Sequence, residues 1–404
     1  MKILFLTPQF PYPLDNGGKI GALNGIEPLS KYNNLTVLSF SENASDAAGL
    51  AFYAKKIPEV NFEEPIKHKV HIRQDILQMS KVMIKDLILG HPYMMEKFQN
   101  KEMYKKIDRI LKNEKFDLIW IDYLNMAPYG AYIKKHHRKS YKHIVFKNHN
   151  IEYQLFLQES NKRKGIIKKI IAREAQILKQ KEMEYIQDAE IVFTVCQNDT
   201  DYFLDYQKNT YTMLPTYDIK PYRALLTDTP AVLYIGNLSW KPNVDGMKWF
   251  LDKVWPIVKE KCPEASLDII GSGADISEFS DYSQVNYKGY VEDISDIYSE
   301  YRVFIVPLFE GSGIRIKILE AFNEDIAVVA TTMSCKTIGH LNNELCMEDD
   351  ENRFADAVLK LLSDNEFNNK VRHRAKQFMQ NYFSLESRQK EIQKILEDRF
   401  NDRK

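Results

Sequence analysis

Two basic side chains and one acidic side chain follow a glycine-containing turn in the second half of the chain. The stretch runs Gly311-Ser312-Gly313-Ile314-Arg315 and continues to Lys317 and Glu320. Glycine lets a backbone turn tightly and approach a ligand closely. A helix that begins after such a turn presents unpaired N–H groups and a positive dipole end, which suit a phosphate. The spacing therefore predicts two cations beside a diphosphate and one carboxylate beside sugar hydroxyls.

The placement of these charges is unusual for a helix that only covers a sheet. At 100° per residue, one face collects Ile314, Ile318, Ala321 and Phe322. Arg315 then lies beside this apolar face, and Lys317 and Glu320 lie at its other margin. A solvated polar face would gather all three charges on the far side. An ordinary sheet-covering helix with snorkelling cations is the alternative interpretation.

The stretch belongs to a chain in which apolar runs alternate with amphipathic ones. Runs typical of buried parallel strands lie at 3–6, 35–40, 116–121, 143–146 and 191–195, then at 232–235, 267–270, 285–287, 303–306 and 327–330. Helical patterns lie between them, among others at 20–32, 75–89, 162–186 and 245–261. Residues 69–72 are a further candidate strand, and 41–65 are polar and irregular. The alternation predicts an α/β fold with doubly wound parallel sheets.

The pattern restarts after a polar segment that contains three prolines, Thr210–Pro230, which is the best linker candidate. Two successive α/β domains of similar size are therefore expected. Glycine turns follow strands at Gly17-Gly18, Gly236, Gly271–Gly273 and Gly311–Gly313. Since the carboxyl ends of parallel strands share one edge of a sheet, a ligand is expected at that edge. A turn after a strand also uses glycine for purely structural reasons.

The composition narrows the class of protein. The 404 residues contain 56 Lys+Arg and 56 Asp+Glu, so the net charge of zero argues against a nucleic-acid partner. Four scattered cysteines without metal spacing argue against a disulfide framework and suit a reducing cytoplasm. No apolar run of about 18 residues exists to span a membrane.

Four segments of the second half resemble a known family. They read IGNLSWKPNVDG, IIGSG, YKGYVEDISDIYSEYRVFIVPLFEGSGIRIKILEAF and AVVATT. Their order and spacing resemble the carboxyl-terminal domain of GT4-type retaining glycosyltransferases with the GT-B fold. The first half is similar more loosely, through PxPxxxGG at 11–18 and HNxE at 149–152.

The resemblance implies two Rossmann-like domains that face each other across a cleft. An acceptor domain would span 1–222 and a nucleotide-sugar donor domain 223–383, with the last helix, 384–400, packing back on the first. The implied activity is transfer of a sugar from a nucleotide-diphosphate-sugar to a hydroxyl of a glycan or lipid-linked acceptor, with retention of configuration. Neither a metal nor a cofactor is implied.

The resemblance also implies roles for residues of the second half. Glu320 would bind the ribose hydroxyls, and Arg315 and Lys317, with Lys241, would neutralise the diphosphate. The loop Gly311-Ser312-Gly313-Ile314 would lie against the donor sugar and phosphates. Tyr290 and Val291, after Gly289, would flank the base.

The first half would contribute Gly17 and Gly18, which approach the phosphates, and His149, which faces the donor sugar near the anomeric carbon. Two positions depart from the family pattern. Ser312 stands where many members have a second glutamate, which Glu310 replaces only if the loop is two residues longer. Asn237 stands where an arginine is usual, and it would be the donor-binding residue at this position.

The basic segment Lys162–Arg173 contains isoleucines at 166, 167, 170 and 171. A solvated helix packed on the sheet is one interpretation, and peripheral contact with an anionic membrane is the other.

Rival functions stay open at this point. A sugar-nucleotide epimerase would convert the nucleotide-sugar without needing an acceptor. A non-catalytic subunit would bind the nucleotide-sugar and catalyse no reaction. A dinucleotide oxidoreductase fits least, because no GxGxxG follows the first strand.

Overall fold

The computed structural model describes residues 1–42, 46–68, 92–223, 226–273, 282–291, 294, 297–310 and 315–400. The predicted strand at 69–72 and helix at 75–89 lie outside these ranges, as do Gly311, Ser312, Gly313 and Ile314. The chain forms two compact units. Unit 1 comprises Met1–Thr216 and Arg388–Lys404, and unit 2 comprises Tyr217–Ser387. The sequence had placed the division at 222/223.

Unit 1 is built on a parallel sheet. Its strands are β1 (Lys2–Thr7), β2 (Asn34–Ser41), β3 (Val60–Phe62), β4 (Ile66–Lys67), β5 (Phe116–Asp122), β6 (Tyr141–Asn148), β7 (Ile191–Thr194) and β8 (Thr210–Thr212). Their order is β3-β2-β1-β5-β6-β7-β8, with β4 also paired to β2. Every pairing in the described ranges is parallel. The strands predicted at 3–6, 35–40, 116–121, 143–146 and 191–195 are confirmed.

The helices of unit 1 cover both faces of this sheet. They are α1 (Gly17–Ser30), α2 (Asp46–Lys56), α3 (Tyr93–Glu96), α4 (Lys101–Asn113), α5 (Ala127–His136), α6 (Glu152–Asn161), α7 (Gly165–Asp188) and α8 (Gln197–Leu204). Two predictions were wrong here. The segment 41–65, expected to be irregular, contains α2 and β3, and the expected linker begins with β8, which pairs with β7.

The core of unit 1 uses both ends of the chain. The last helix of the described chain, α15 (Leu385–Phe400), places Ile392 and Leu396 in one hydrophobic cluster with Ile3 and Phe5 of β1. All four side chains are at most 1% exposed. Residues 388–400 are therefore part of this unit's interior, not a tail.

Unit 2 has a second parallel sheet. Its strands are β9 (Ala231–Ile235), β10 (Ser266–Ile270), β11 (Val285–Gly289), β12 (Val303–Val306), β13 (Ala327–Ala330) and β14 (Cys346–Met347), in the order β11-β10-β9-β12-β13-β14. The helices are α9 (Lys241–Trp249), α10 (Trp255–Lys261), α11 (Ile316–Asn323), α12 (Thr332–Cys335), α13 (Glu351–Ser363) and α14 (Asn365–Tyr382). The five strands predicted in this half are confirmed.

The predicted helix at 245–261 is a continuous helical segment with one irregular turn. α9 passes through a π-helical turn at Phe250–Val254 into α10. Pro256 follows this irregular turn directly, and because proline has no N–H it interrupts the regular hydrogen-bond ladder of the helix there. No helix in the described ranges combines the length and the apolar character that a bilayer crossing needs.

Candidate functional site

Arg315 lies at the carboxyl edge of the unit 2 sheet, just before α11. It is the residue that precedes the helix, so it does not lie on the helix face that the sequence pattern assumed. The side chain is only 7% exposed. Its guanidinium lies 5.8 Å from the centre of the Trp240 ring and donates a hydrogen bond to the carbonyl oxygen of Glu310 (3.3 Å). A buried guanidinium is thereby held at this edge.

Lys317 lies in the first turn of α11, with its ammonium against the end of β9. Its Nζ is 4.7 Å from the centre of the Tyr234 ring and 3.4 Å from Oδ1 of Asn243. No carboxylate in the described part of the chain lies within ion-pair distance of this Nζ. Burial first and the charge of Arg315 second lower the pKa of Lys317, and Glu320 opposes them; the resulting pKa is about 8.

Glu320 follows Lys317 by one turn of α11. Burial raises its pKa above the usual value, and the nearby Lys317 charge works against that rise. The carboxyl group is half-buried and has no hydrogen-bond or ion-pair partner in the described ranges. It is therefore available to a ligand that brings its own donors, such as hydroxyl groups.

The ends of β9 and β10 approach each other closely below these cations. Gly271 has φ +150°, and a Cβ on it would lie 1.8 Å from the carbonyl oxygen of Gly236. Only glycine fits such a contact. A Cβ on Gly236 would in turn lie 2.9 Å from Nζ of Lys317. The two glycine turns that the sequence indicated thus pack against each other beneath the side chain of Lys317.

Asn237 uses its side chain to shape the loop that leads into α9. Its Oδ1 accepts a hydrogen bond from the backbone N–H of Ser239 (2.9 Å). Its carbonyl oxygen accepts one from Nδ2 of Asn243 (2.7 Å). The structure therefore shows a turn-forming asparagine, whereas the direct ligand contact expected from sequence stays a prediction.

The remaining predicted residues of unit 2 are exposed or nearly so. The ammonium of Lys241 is paired with Asp245 one turn later on α9, and its side chain is 82% exposed. Tyr290 is 74% exposed and follows Gly289, with Val291 half-buried beside it. Glu310 is exposed as well. None of their described contacts joins them to Lys317.

In unit 1, His149 follows β6 and contacts a buried aspartate at the end of the neighbouring strand. Its Nε2 lies 2.8 Å from Oδ1 of Asp122, which is fully buried. Oδ2 of Asp122 accepts a hydrogen bond from the Thr7 hydroxyl (2.9 Å), and Nζ of Lys147 lies 3.3 Å from Oδ1. Burial pushes the pKa of Asp122 upward, but Lys147, His149 and Thr7 outweigh it, so the pKa lies below its usual value.

Tyr123 covers the face of the His149 ring. The ring centres are 3.4 Å apart and the planes are inclined by 4°. The Tyr123 hydroxyl donates to the carbonyl oxygen of Gly18 (3.2 Å). A Cβ on Gly21 would lie 2.4 Å from that hydroxyl oxygen and 2.9 Å from Cε1 of His149. The glycines of α1 therefore let the helix rest directly on the stacked pair.

The predicted pair Gly17-Gly18 opens α1, which is capped by the Asn16 side chain accepting from the N–H of Lys19 (3.1 Å). A Cβ on Gly18 would lie 2.8 Å from Oε1 of Gln9, whereas one on Gly17 would meet nothing within 4 Å. Gly18 thus lies against the amide end of the Gln9 side chain, whereas Gly17 borders open space.

Sequence reasoning missed Asp122, Tyr123 and Lys147. A signal was present, because Asp122 follows directly on the predicted strand 116–121, at the same sheet edge as His149. The buried position of Lys147 was harder to predict, because a lysine is rarely buried at the end of an apolar strand. The described side chains include no group of three or more His, Cys, Asp or Glu residues arranged to hold a metal ion.

A profile of a known enzyme family matches the chain over residues 229–364, and the family is described as Glycosyl transferases group 1. Unit 2 is therefore similar to the domain that this family model describes, and the matched residues include Arg315, Lys317 and Glu320.

The whole chain has relatives of similar length. It is 24% identical over 376 residues to an uncharacterized 44.6 kDa protein in the cps region of Klebsiella pneumoniae, covering 89% of this chain and 90% of that protein. HepE of Anabaena, solved in complex with UDP and glucose, has a TM-score of 0.59 at 14% identity, covering 98% of this chain and 100% of that one. A glycosyltransferase from Rickettsia africae has a TM-score of 0.53 at 12% identity, with 99% of both chains covered. The likeness to the solved structures shows that the fold is GT-B.

Proposed function

We propose that the chain is a GT4-type retaining glycosyltransferase. It moves a sugar from a nucleotide-diphosphate-sugar to a hydroxyl of a glycan or glycolipid, in the synthesis of polysaccharide or cell-surface glycan. Unit 2 binds the donor, and unit 1 binds the acceptor. Neither a metal nor a cofactor takes part.

One observation carries the proposal: Lys317 holds its ammonium at the sheet edge without a carboxylate partner among the described residues, and Arg315 lies close enough to depress its pKa. A buried charge without a counter-charge is costly. A diphosphate supplies the missing negative charge, which makes the pair a built anion site inside a domain whose family transfers sugars.

The same cations supply the chemistry. In sugar transfer the barrier lies in separating a diphosphate from an oxocarbenium-like sugar. Preorganised cations and helix N–H groups aimed at the leaving oxygens stabilise that charge separation. Arg315 and Lys317 thus take the role that a metal ion fulfils in other transferases, and the departing phosphate is the base for the acceptor hydroxyl. Glu320 binds the ribose hydroxyls.

A cavity in unit 1 supports binding of a polyhydroxylated acceptor. Its volume is about 210 Å³, and it lies at the carboxyl ends of β1 and β2. Its lining combines two phenyl rings with carboxylate, amide, ammonium and imidazole groups, from Phe10, Phe40, Asp15, Glu42, Gln9, Asn16, Lys19 and His68. Aromatic rings beside side chains that donate and accept hydrogen bonds suit a polyhydroxylated ligand.

The experiment is a screen of nucleotide-sugars by thermal shift, beginning with UDP-glucose because HepE was solved with that donor. A donor that binds the folded protein raises its melting temperature by mass action. The hit is then incubated with glycan and lipid-linked acceptors, and the anomeric configuration of the product is read by NMR. Lys317→Met should abolish the thermal shift, whereas Lys241→Met should retain it.

The outcomes separate the rival functions. Transfer with retention supports the proposal, and inversion contradicts its mechanism. Conversion of the donor without an acceptor indicates an epimerase. A thermal shift without turnover on any acceptor indicates a non-catalytic binding subunit. No shift with any nucleotide-sugar overturns the proposal.

We also propose peripheral contact with an anionic membrane at the start of α7, which suits a cytoplasmic enzyme with a lipid-linked acceptor. Ile166 is 69% exposed and Ile167 55% exposed. Lys164, Lys168 and Lys169 flank them without ion-pair partners in the described ranges, and α7 becomes buried only from Ala175 onward. Exposed apolar side chains framed by lysines suit anionic lipid.

Vesicle sedimentation at low salt tests this contact. The protein should sediment more with vesicles containing phosphatidylglycerol than with pure phosphatidylcholine. Lys168→Glu/Lys169→Glu should remove the difference, while the matched change Lys101→Glu/Lys105→Glu on α4 should not. Equal sedimentation with both vesicles would refute the contact.

A further inference from the structure

The His149 ring is fixed on two sides by residues that the resemblance does not mention. Asp122 faces Nε2 at 2.8 Å, and the Tyr123 ring covers one face at a centre-to-centre distance of 3.4 Å. A carboxylate accepts and cannot donate. Nε2 therefore carries the proton, and Nδ1 is left as the acceptor nitrogen. No group in the described ranges donates to Nδ1.

Tyr123 adopts a backbone conformation that is costly for a residue with a side chain. Its φ is +71°, in a region where bulky residues are rare. The conformation is held by its N–H, which donates to the carbonyl oxygen of Lys147 (2.9 Å), and by its hydroxyl on the carbonyl oxygen of Gly18. Strain of this kind concentrates at functional positions. Here its result is the stack on His149.

The charges around the ring favour its neutral form. Burial lowers the pKa of His149 to about 4, and the ammonium of Lys147 acts in the same direction, while Asp122 opposes both. Lys147 is itself held in place, since its Nζ donates to the carbonyl oxygen of Gly21 (2.9 Å). The remaining polar neighbours, the hydroxyls of Thr7 and Tyr123, carry no charge at neutral pH.

We propose that Asp122 and Tyr123 are positioning residues that hold His149 as the neutral Nε2–H tautomer, so that Nδ1 accepts a hydrogen bond from a substrate hydroxyl. The role in substrate binding rests on the proposed function. A phosphate oxygen has no proton to donate to Nδ1, so this position selects a sugar hydroxyl. The diphosphate is bound instead by Arg315 and Lys317 of unit 2.

The tautomer is read directly by ¹⁵N NMR of the full-length, histidine-labelled protein without any donor. The signal lost in His149→Gln identifies the ring. We expect one neutral Nε2–H tautomer from pH 8 to about pH 5. His143 is an internal control, because its Nδ1 lies 2.8 Å from Glu190 and so predicts the opposite tautomer. A cationic His149 near pH 6, or an Nδ1–H tautomer, would overturn the proposal.

Variants test the two positioning residues. Asp122→Asn should give a mixture of tautomers, and Tyr123→Leu should let the ring signal broaden, whereas Tyr123→Phe keeps the stack and the tautomer. Thr7→Val is the control for folding, since it removes a hydrogen bond to Asp122 without touching His149. If Asp122→Asn does not fold, Tyr123→Leu decides the question alone.

The substrate arm uses UDP-glucose or whichever nucleotide-sugar the screen identifies. Asp122→Asn and Tyr123→Leu should lower kcat about tenfold or more, the scale of one lost hydrogen bond, with the donor-induced thermal shift retained. Unchanged kcat in both variants overturns the positioning role even when the tautomer is as expected. If the protein converts no nucleotide-sugar with any acceptor, the proposed function is refuted. The NMR experiment then still shows which tautomer Asp122 and Tyr123 impose on the His149 ring.

Discussion

The ammonium of Lys317 lies 4.7 Å from the centre of the Tyr234 ring, whose buried hydroxyl has no hydrogen-bond partner in the described ranges. An aromatic face attracts a cation but does not neutralise it. Burial also raises the pKa of Tyr234, so the phenol stays uncharged. The pair therefore holds a positive charge at the sheet edge and leaves it for a ligand to balance.

Replacing this lysine should stabilise the unliganded protein. Lys317→Met removes a poorly compensated charge. The lowering of the lysine pKa from 10.5 to about 8 corresponds to a cost of about 3 kcal/mol at pH 7, since one pKa unit corresponds to about 1.4 kcal/mol. Denaturant unfolding should show that gain. Lys241→Met, on an exposed side chain, should show none; an equal gain there would contradict the explanation.

The pH dependence of donor binding should report the same group. An anion binds the protonated lysine, so donor affinity should fall as the pH rises through about 8. Stability of the unliganded protein should rise between about pH 8 and 10.5, because the unfolded chain then binds more protons than the folded one. Calorimetric titrations at several pH values measure the first trend, and Lys317→Met should remove both.

Arg315 should contribute to turnover more than Lys241 does. Arg315→Ala is expected to cost about 2–4 kcal/mol in kcat/KM, the scale of one lost preorganised donor. Lys241→Ala should lower kcat/KM clearly less than Arg315→Ala does, because the exposed ammonium of Lys241 already pairs with Asp245. Steady-state kinetics of both variants decide the ranking. A reversed order would show that the exposed lysine approaches the donor.

The contact between α1 and the stacked rings should be sensitive to one methyl group. Gly21→Ala places a Cβ 2.4 Å from the Tyr123 hydroxyl oxygen, and overpacking of this kind costs about 1–3 kcal/mol. Tyr123→Phe removes that oxygen and should restore part of the loss, which a double-mutant cycle on unfolding free energies measures. Strict additivity of the two changes would argue against the contact.

The sequence was most informative where burial is continuous. Segments such as 118–121 and 303–306 are buried on both faces, so each leaves an uninterrupted apolar run that predicts a strand directly. The missed helix α2 buries only Asp46, Gly49 and Tyr53. With so few buried positions it leaves no helical periodicity to detect.

The site was predicted in part for a related reason. Arg315 and Lys317 stand out because charges beside an apolar run are visible in the sequence itself. His149 contacts Asp122, which lies 27 residues earlier in the chain, and Tyr123, the residue after it. Their pairing follows from the order β1-β5-β6 in the sheet, which no local pattern reveals.

The return of α15 to unit 1 has a consequence for how the protein is made. Ile392 and Leu396 complete the cluster around Ile3 and Phe5, yet they are translated after all of unit 2. Unit 1 thus keeps an open apolar surface until α15 has been made, whereas unit 2, which is one uninterrupted segment, can fold first. Synthesis of α15, and not of residue 216, is the step that completes the core of unit 1.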